Sequence, residues 1–440
     1  MKFKKALPAL MFAIIAAAVT TGNISIAESA EQPYDLKLTR KYKGQTLTIW
    51  QGWEDKEQGE TANRKGTPES RKEFENATGV KVNVVVLTGE SADQKKKTIT
   101  AITTGNGPDL VWFGPDEKPA WILKKLIVPI SKYINFKDKA FLAACDIPAP
   151  TLEYFTWKGQ VYGVNGPEFC DRLYYNKSLF EAYGLEDPCK LYKEGKWTWD
   201  KFLELAKALT MDTDGNGKID QWGYQSWLSD QWFTANGVQF VKKIKNKYVF
   251  GMEDEKAYYT LQYMYDIVFK HKITPRVWWD PSPQVQFYKG KVAMDYWGYW
   301  EMEEMKKQMG NKLGIVPFPA GPGLKGRKSA DRYQLNGMGI TTCCKNPELA
   351  SMYIRWMRVP SPAERAEFEK NMIKLYGSKE VWDLVQEMNK NSVVPNYYGW
   401  GRLGQFIDTI RWIENQTPAQ AVQSIKKMAQ SEIDSVLALN

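Results

Sequence analysis

The chain has 440 residues, too many for one ordinary core, and this length predicts two lobes or domains. Its 43% apolar and 25% charged composition excludes a disordered chain. The net charge of +9 is spread over short runs such as Lys95-Lys96-Lys97 and Lys242-Lys243, each offset by nearby acids. That pattern reads as a solvated surface and not as a nucleic-acid interface.

The chain opens with Lys2, Lys4 and Lys5, followed by an apolar run from Ala6 to Val19 and small residues near Ala27 and Ser29. This predicts a signal peptide over 1–29 and an exported, periplasmic or extracellular protein. The apolar run is shorter than the ~20 residues a membrane span needs. No cysteine follows it to suggest a lipid anchor.

Leu47 to Trp50 reads as the first strand. Thr67 caps a helix with Pro68 at its first position, and Gly79 ends it. Val80 to Leu87 is a second strand, and a polar helix follows over roughly 91–104. Leu110 to Phe113 is a short buried strand ending at Gly114-Pro115, with Asp116 on the loop beyond. This β-α-β-α-β order predicts a mainly parallel α/β sheet, whose ligand crevice lies outside the carboxyl ends of the strands.

Further along, Gln160 to Val164 and Leu173 to Tyr175 read as strands. Thr198 caps a helix to about Leu209, and helical pattern returns at 255–270. Val292 to Tyr296 is a short strand, and 317–326 is a Pro/Gly-rich connector. Asn346 to Met357 is helical until Pro360. The last helix starts at Thr417-Pro418-Ala419-Gln420, which has capping-box spacing, and runs to about Leu437.

The chemistry-bearing residues are aromatic and acidic. There are 18 tryptophans and one histidine, His271, which leaves little room for histidine triads or histidine-ligated metals. Five cysteines without a CxxC give no disulfide framework. An aromatic beside an acid at a strand end suits a hydroxyl-rich ligand: the ring stacks on CH faces and the carboxylate accepts hydroxyl hydrogen bonds.

Asp212, Asp214, Asn216, Lys218 and Asp220 have the spacing of a calcium-binding loop. The bidentate acid at the twelfth position is missing, because Gly223 stands there. Two readings stand: a structural Ca²⁺ site that braces the loop, or a metal-free Asx-rich turn. No other cofactor is expected.

Several motifs together resemble one family. They are LTIWQGW at 47–53, EFENATGVKVNVV at 73–85, TTGNGPDLVWFGPD at 103–116 and LYYNKSLFEAYGL at 173–185. KVAMDYWGYW at 291–300, PFPAGPG at 317–323, NGMGITTCCKNPELASMYIRWM at 336–357 and NQTPAQAV at 415–422 complete the set. The chain resembles the family 1 extracellular solute-binding proteins, the maltose-binding-like receptors of ABC sugar importers. One departure is Arg172, where the family usually has a small residue.

The resemblance implies a two-lobed periplasmic binding protein fold, type II-like, with discontinuous lobes joined by hinge strands. The N-terminal lobe is expected over 40–155 plus 310–358, and the C-terminal lobe over 156–309 plus 359–440. It implies a carbohydrate bound between the lobes, hinge closure on it, delivery to ABC permease subunits, a monomer, and no enzymatic activity.

By position in the motifs, the ligand-contacting residues implied are Trp53, Glu54, Asp55, Phe113, Asp116, Glu168, Trp300, Asn336, Met338, Trp400 and Arg402. Side-chain alternation points Trp112 away from Phe113, and the resemblance assigns Phe113 to ligand and Trp112 to packing. Two rivals stay open: a secreted carbohydrate-active enzyme, which would need a spaced carboxylate pair, and the same fold holding a polyamine or other non-sugar solute.

Overall fold

A computed structural model describes Tyr34, 36–53, 65–114, 117–145, 147, 149–165, 170–226, 230–275, 283–333, 335–410 and 415–438. The expected signal segment 1–29 lies outside the described residues, as do Glu54, Asp55, Asp116 and Glu168.

The strands in chain order are β1 (Thr46–Gln51), β2 (Lys81–Val86), β3 (Leu110–Phe113), β4 (Ile127–Val128), β5 (Thr156–Trp157) and β6 (Gln160–Val161). They continue with β7 (Arg172–Asn176), β8 (Trp222–Ser226), β9 (Val241–Ile244), β10 (Lys247–Phe250), β11 (Val292–Trp297), β12 (Leu313–Val316) and β13 (Gly337–Thr341). Two main sheets result. The first has the order β2-β1-β3-β13-β4, and the second β12-β7-β11-β8.

In the first sheet β1 runs parallel to β2 and β3, while β13 is antiparallel to β3 and β4. The crossover helix Pro68–Thr78 begins where the sequence places it. Thr67 accepts the Ser70 N–H, Pro68 occupies the first turn, and Gly79 closes the helix at φ 72°. The second crossover is the helix Ser91–Thr103. In the second sheet β7 is antiparallel to β11 and β12, and β8 is parallel to β11. Every residue of β7, β11 and β12 is buried, as expected of strands covered on both faces.

The chain therefore leaves the first sheet after β4, builds the second from β7 to β12, and returns to insert β13 between β3 and β4. The strand β12 falls inside the range 310–358 expected for the first lobe, yet it pairs with β7 in the second sheet. Its short link from the helix Met302–Met309 leaves it beside the strands just completed.

Two crossing segments run side by side between the sheets. Val164 bridges Met338, and Cys170 bridges Tyr333. A buried charge cluster sits at the same place. The Arg332 guanidinium lies 2.8 Å from Asp171 and 3.1 Å from Asp230. The Tyr397 hydroxyl donates to Asp230 at 2.7 Å. Removing one partner of such a group strands the opposite charge without water, which is far costlier than losing an exposed pair.

One core runs through both sheets. A second cluster packs Phe368, Met372, Trp382 and Met388, from the helices Pro362–Tyr376 and Lys379–Asn391, against Tyr174 and Trp297. Arg172 faces this second cluster, fully buried, with its guanidinium 5.1 Å from the Tyr376 ring and 5.9 Å from the Tyr299 ring. The large cation at a position where the resemblance implies a small residue is thus housed by aromatic faces. Among the described residues no helix is long and apolar enough to cross a membrane. Cys170, Cys189, Cys343 and Cys344 are free thiols.

Candidate functional site

The carboxyl ends of β1 and β3 open onto a cavity of about 350 Å³. Gln51, Gly52 and Trp53 form one wall. Trp112 and Gly114 form a second, and Gln94, Lys95 and Thr98 a third, all from the face that the helix Ser91–Thr103 turns toward the strand ends. Glu117, Trp121 and Asn336 also line it.

Each wall is fixed by local chemistry. The Gln51 side-chain amide donates to the Trp53 carbonyl at 2.8 Å and holds the end of β1 in place. Gln94 donates to the Gly89 carbonyl at 2.8 Å. Its Oε1 would sit 2.3 Å from a Cβ at residue 52, so any side chain there would have to displace the Gln94 amide. Trp53 is 46% exposed, and its ring centre lies 5.5 Å from that of half-buried Trp112. The Arg358 guanidinium carbon lies 5.3 Å from the Trp112 ring.

The polar side of the cavity is a charge pair. The Lys95 ammonium is 2.6 Å from Glu117 Oε1, and Glu117 Oε2 accepts the Gly114 N–H at 2.7 Å. Glu117 is 7% exposed while Lys95 remains partly open to the cavity. A buried carboxylate with two donors beside a partly exposed ammonium offers an acceptor and a donor within one ligand-sized space.

The structure reverses the expected roles of Trp112 and Phe113. Phe113 is 2% exposed, its ring 6.0 Å from Trp121 and 5.4 Å from Phe155. Successive strand residues face opposite sides, and the cleft side here is that of Trp112. Three further expected contacts are corrected. Met338 is buried in β13, where it pairs with Trp112. Trp400 is buried with its ring 4.7 Å from Tyr248. Arg402 lies on the surface, 3.3 Å from Glu432 and over the Phe406 ring.

Two expected residues are placed where a ligand has access. Trp53 and Asn336 line the cavity. Trp300 follows β11 in the second sheet, 42% exposed, with its ring folded against Gly298 and 5.7 Å from that of Tyr299. Sequence reasoning missed Gln94, Lys95 and Glu117. Lys95 belongs to a three-lysine run read as solvated surface, but helical spacing sets it beside Gln94 and Thr98, toward the strand ends.

Asp212, Asp214 and Asp220 bring ligand oxygens within 4.8 Å of one another at the surface and could hold a metal ion. Asp212 accepts N–H groups from Gly215 at 2.8 Å and Gly217 at 2.6 Å, and Asp220 accepts that of Thr213 at 2.8 Å. The Gly217 and Thr213 backbone hydrogen bonds hold these two carboxyls below their ordinary range. Asn216 Oδ1 accepts the Lys218 N–H at 2.9 Å, so the loop satisfies many of its oxygens internally.

The fold and several solved structures agree. The galacto-N-biose-/lacto-N-biose I-binding protein of the ABC transporter from Bifidobacterium longum, in complex with lacto-N-biose, is similar at TM-score 0.66 and 18% identity. The match covers 89% of this chain and 97% of that one. A cyclo/maltodextrin-binding protein complexed with maltotetraose matches at TM-score 0.65 and 19% identity, over 90% and 99% of the two chains. An ABC substrate-binding protein from Listeria monocytogenes in complex with cycloalternan matches at 0.64 and 18%, over 92% and 100%. These likenesses establish the two-lobed periplasmic binding protein architecture. The sequence profile described as bacterial extracellular solute-binding protein matches residues 69–368, more than half of the chain. The chain therefore belongs to the bacterial extracellular solute-binding proteins, a family of transport receptors and not of enzymes.

Proposed function

We propose that this protein is an exported carbohydrate receptor of an ABC importer. It holds an oligosaccharide between its lobes, closes on it and hands it to the permease subunits as a monomer. The observation that carries the reading is the cavity at the ends of β1 and β3, where Trp53 and Trp112 stand beside the Lys95–Glu117 pair. Ring faces suit sugar CH groups, and the paired charges suit adjacent hydroxyls. The proposed contacts are Trp53, Trp112, Lys95, Glu117 and Asn336 from the first lobe and Trp300 from the second. Glu54, Asp55, Asp116 and Glu168 keep the roles that the resemblance implies.

We place the first lobe at 40–155 plus 317–358 and the second at 156–316 plus 359–438, following the pairing of β12. The aspartate loop is proposed to bind Ca²⁺ as a local brace.

A thermal-shift screen with maltotriose, mannobiose, lacto-N-biose and cycloalternan tests the reading. A sugar present at a hundred times its Kd should stabilise the fold by ~2.7 kcal/mol. A response to amines or metals alone would overturn it.

A further inference from the structure

A second concave surface lies outside the sugar site. It is a groove of about 760 Å³ formed where the β5–β6 turn, the β9–β10 hairpin and the helix Pro418–Leu437 meet. Its floor is aromatic, from half-buried Trp157 and Tyr248. Its rim carries Lys158, Lys243 and Lys247. Among the described residues none of these three lysines is ion-paired. The one carboxylate in the groove, Asp434, accepts a hydrogen bond from Gln430 at 2.9 Å. Three ammonium groups against one occupied carboxylate leave the groove electropositive.

The lysines are held in place by backbone geometry. Lys158 sits at φ 47° and is followed by Gly159 at 76°. Lys245 and Asn246 sit at 46° and 65°. Each two-residue turn fixes a tight hairpin; across β9–β10 Lys243 pairs with Tyr248 and shares its face, while Lys247 pairs with Ile244 and leaves from the opposite face, at the rim. Lysine has no ease in the left-handed region, so its presence at the tip of the β5–β6 turn costs backbone energy that a glycine or asparagine would spare. Two further observations concern the floor. The Lys243 ammonium lies 5.7 Å from the Tyr248 ring centre, and the Lys118 ammonium, in a side chain 9% exposed, lies 5.7 Å from that of Trp157. Each groove ring thus has a cation beside it, one of them buried behind the wall.

We propose that this groove binds an organic phosphate, with its oxyanion on Lys158 and Lys243, its carbon skeleton against Trp157 and Tyr248, and Lys247 adding positive charge at the rim. The same chemistry is carried by a soluble phosphate ester and by an anionic phospholipid headgroup. Burial pushes the Lys118 ammonium down to about 8, and an anion in the groove should draw it back up.

The test uses the whole chain with two probes: glycerol 3-phosphate followed by ³¹P NMR, and phosphatidylglycerol/phosphatidylcholine vesicles followed by co-sedimentation. Glycerol and pure phosphatidylcholine vesicles are the blanks. Binding to either probe, weakened at least tenfold in K158S/K243S/K247S and by raised salt, supports the proposal. Binding of the soluble ester alone assigns a free phosphate, and binding of the vesicle alone assigns a headgroup. No binding of either probe at low salt overturns it, as does equal binding by the folded triple variant. Sugar binding by that variant, read in parallel, separates failure of this groove from failure of the transport reading.

Discussion

Glu117 joins two elements that the chain separates: one carboxylate oxygen takes the Gly114 N–H at 2.7 Å, and the other takes the Lys95 ammonium at 2.6 Å. The end of β3 is thereby tied to the helix Ser91–Thr103. Glu117→Ala should cost about 1–3 kcal/mol, the usual penalty for stranding a buried donor. Glu117→Gln, which still offers an oxygen to Gly114, should cost less. Urea denaturation of both variants checks the order, and equal loss in the two would contradict it.

Trp112 and Phe113 should separate cleanly. Trp112→Ala and Trp53→Ala should each weaken sugar binding tenfold or more with modest loss of stability. Phe113→Ala should remove about 3–5 kcal/mol of stability, as for other buried phenylalanines. Calorimetric titration and denaturant melts read the two effects independently. Trp300→Ala should also lower affinity tenfold, and unchanged binding would remove Trp300 from the site.

Asp295 is fully buried in β11, and burial pushes its carboxyl up to about 8. The folded state holds this proton more tightly than the unfolded chain, whose aspartates titrate near ~3.9. The penalty is absent below that value, grows as the pH rises from there toward 8, and is constant above. Asp295→Asn should flatten this fall. Melting temperatures of both proteins at pH 5 and pH 8 decide the matter: a parallel response would refute it.

The aspartate loop gives a metal prediction. Ca²⁺ should raise the melting temperature of the parent protein, and Asp212→Asn with Asp214→Asn should abolish the rise. A parent unaffected by millimolar Ca²⁺ would assign the loop to its internal hydrogen bonds alone.

Gly339 lies under the Phe113 ring, where an added Cβ would meet Cε1 at 2.8 Å. Gly339→Ala should cost about 1–3 kcal/mol through overpacking. A melt showing no change would mean that Phe113 can shift without loss.

The same glycine explains what the sequence hid. The first three strands and their two helices were legible because caps, prolines and valine runs agree on them. The strand β13 was not, because Gly337 and Gly339 weaken a strand pattern while giving Phe155 and Phe113 room to press on its backbone. In the site, a strand-end aromatic was legible, but the choice between neighbours Trp112 and Phe113 depends on which face the sheet turns inward. Trp400 fell to the core because Tyr248, from the distant β9–β10 hairpin, covers it. Lys95 was lost for the opposite reason: a polar helix gives no sign of which polar face meets a strand end.

The return of β13 between β3 and β4 has a consequence for how the molecule is made. Until residues 337–341 exist, the first sheet has a gap between β3 and β4, and β4 has no neighbour to pair with. The amino-terminal third of the chain must wait for more than 200 intervening residues (~210 from the end of β4) before its sheet closes, a long-range pairing of the kind that slows folding. A chain cut after residue 336 should hold all four strands of the second sheet but only an open first sheet, so the sheet begun first is the last to close.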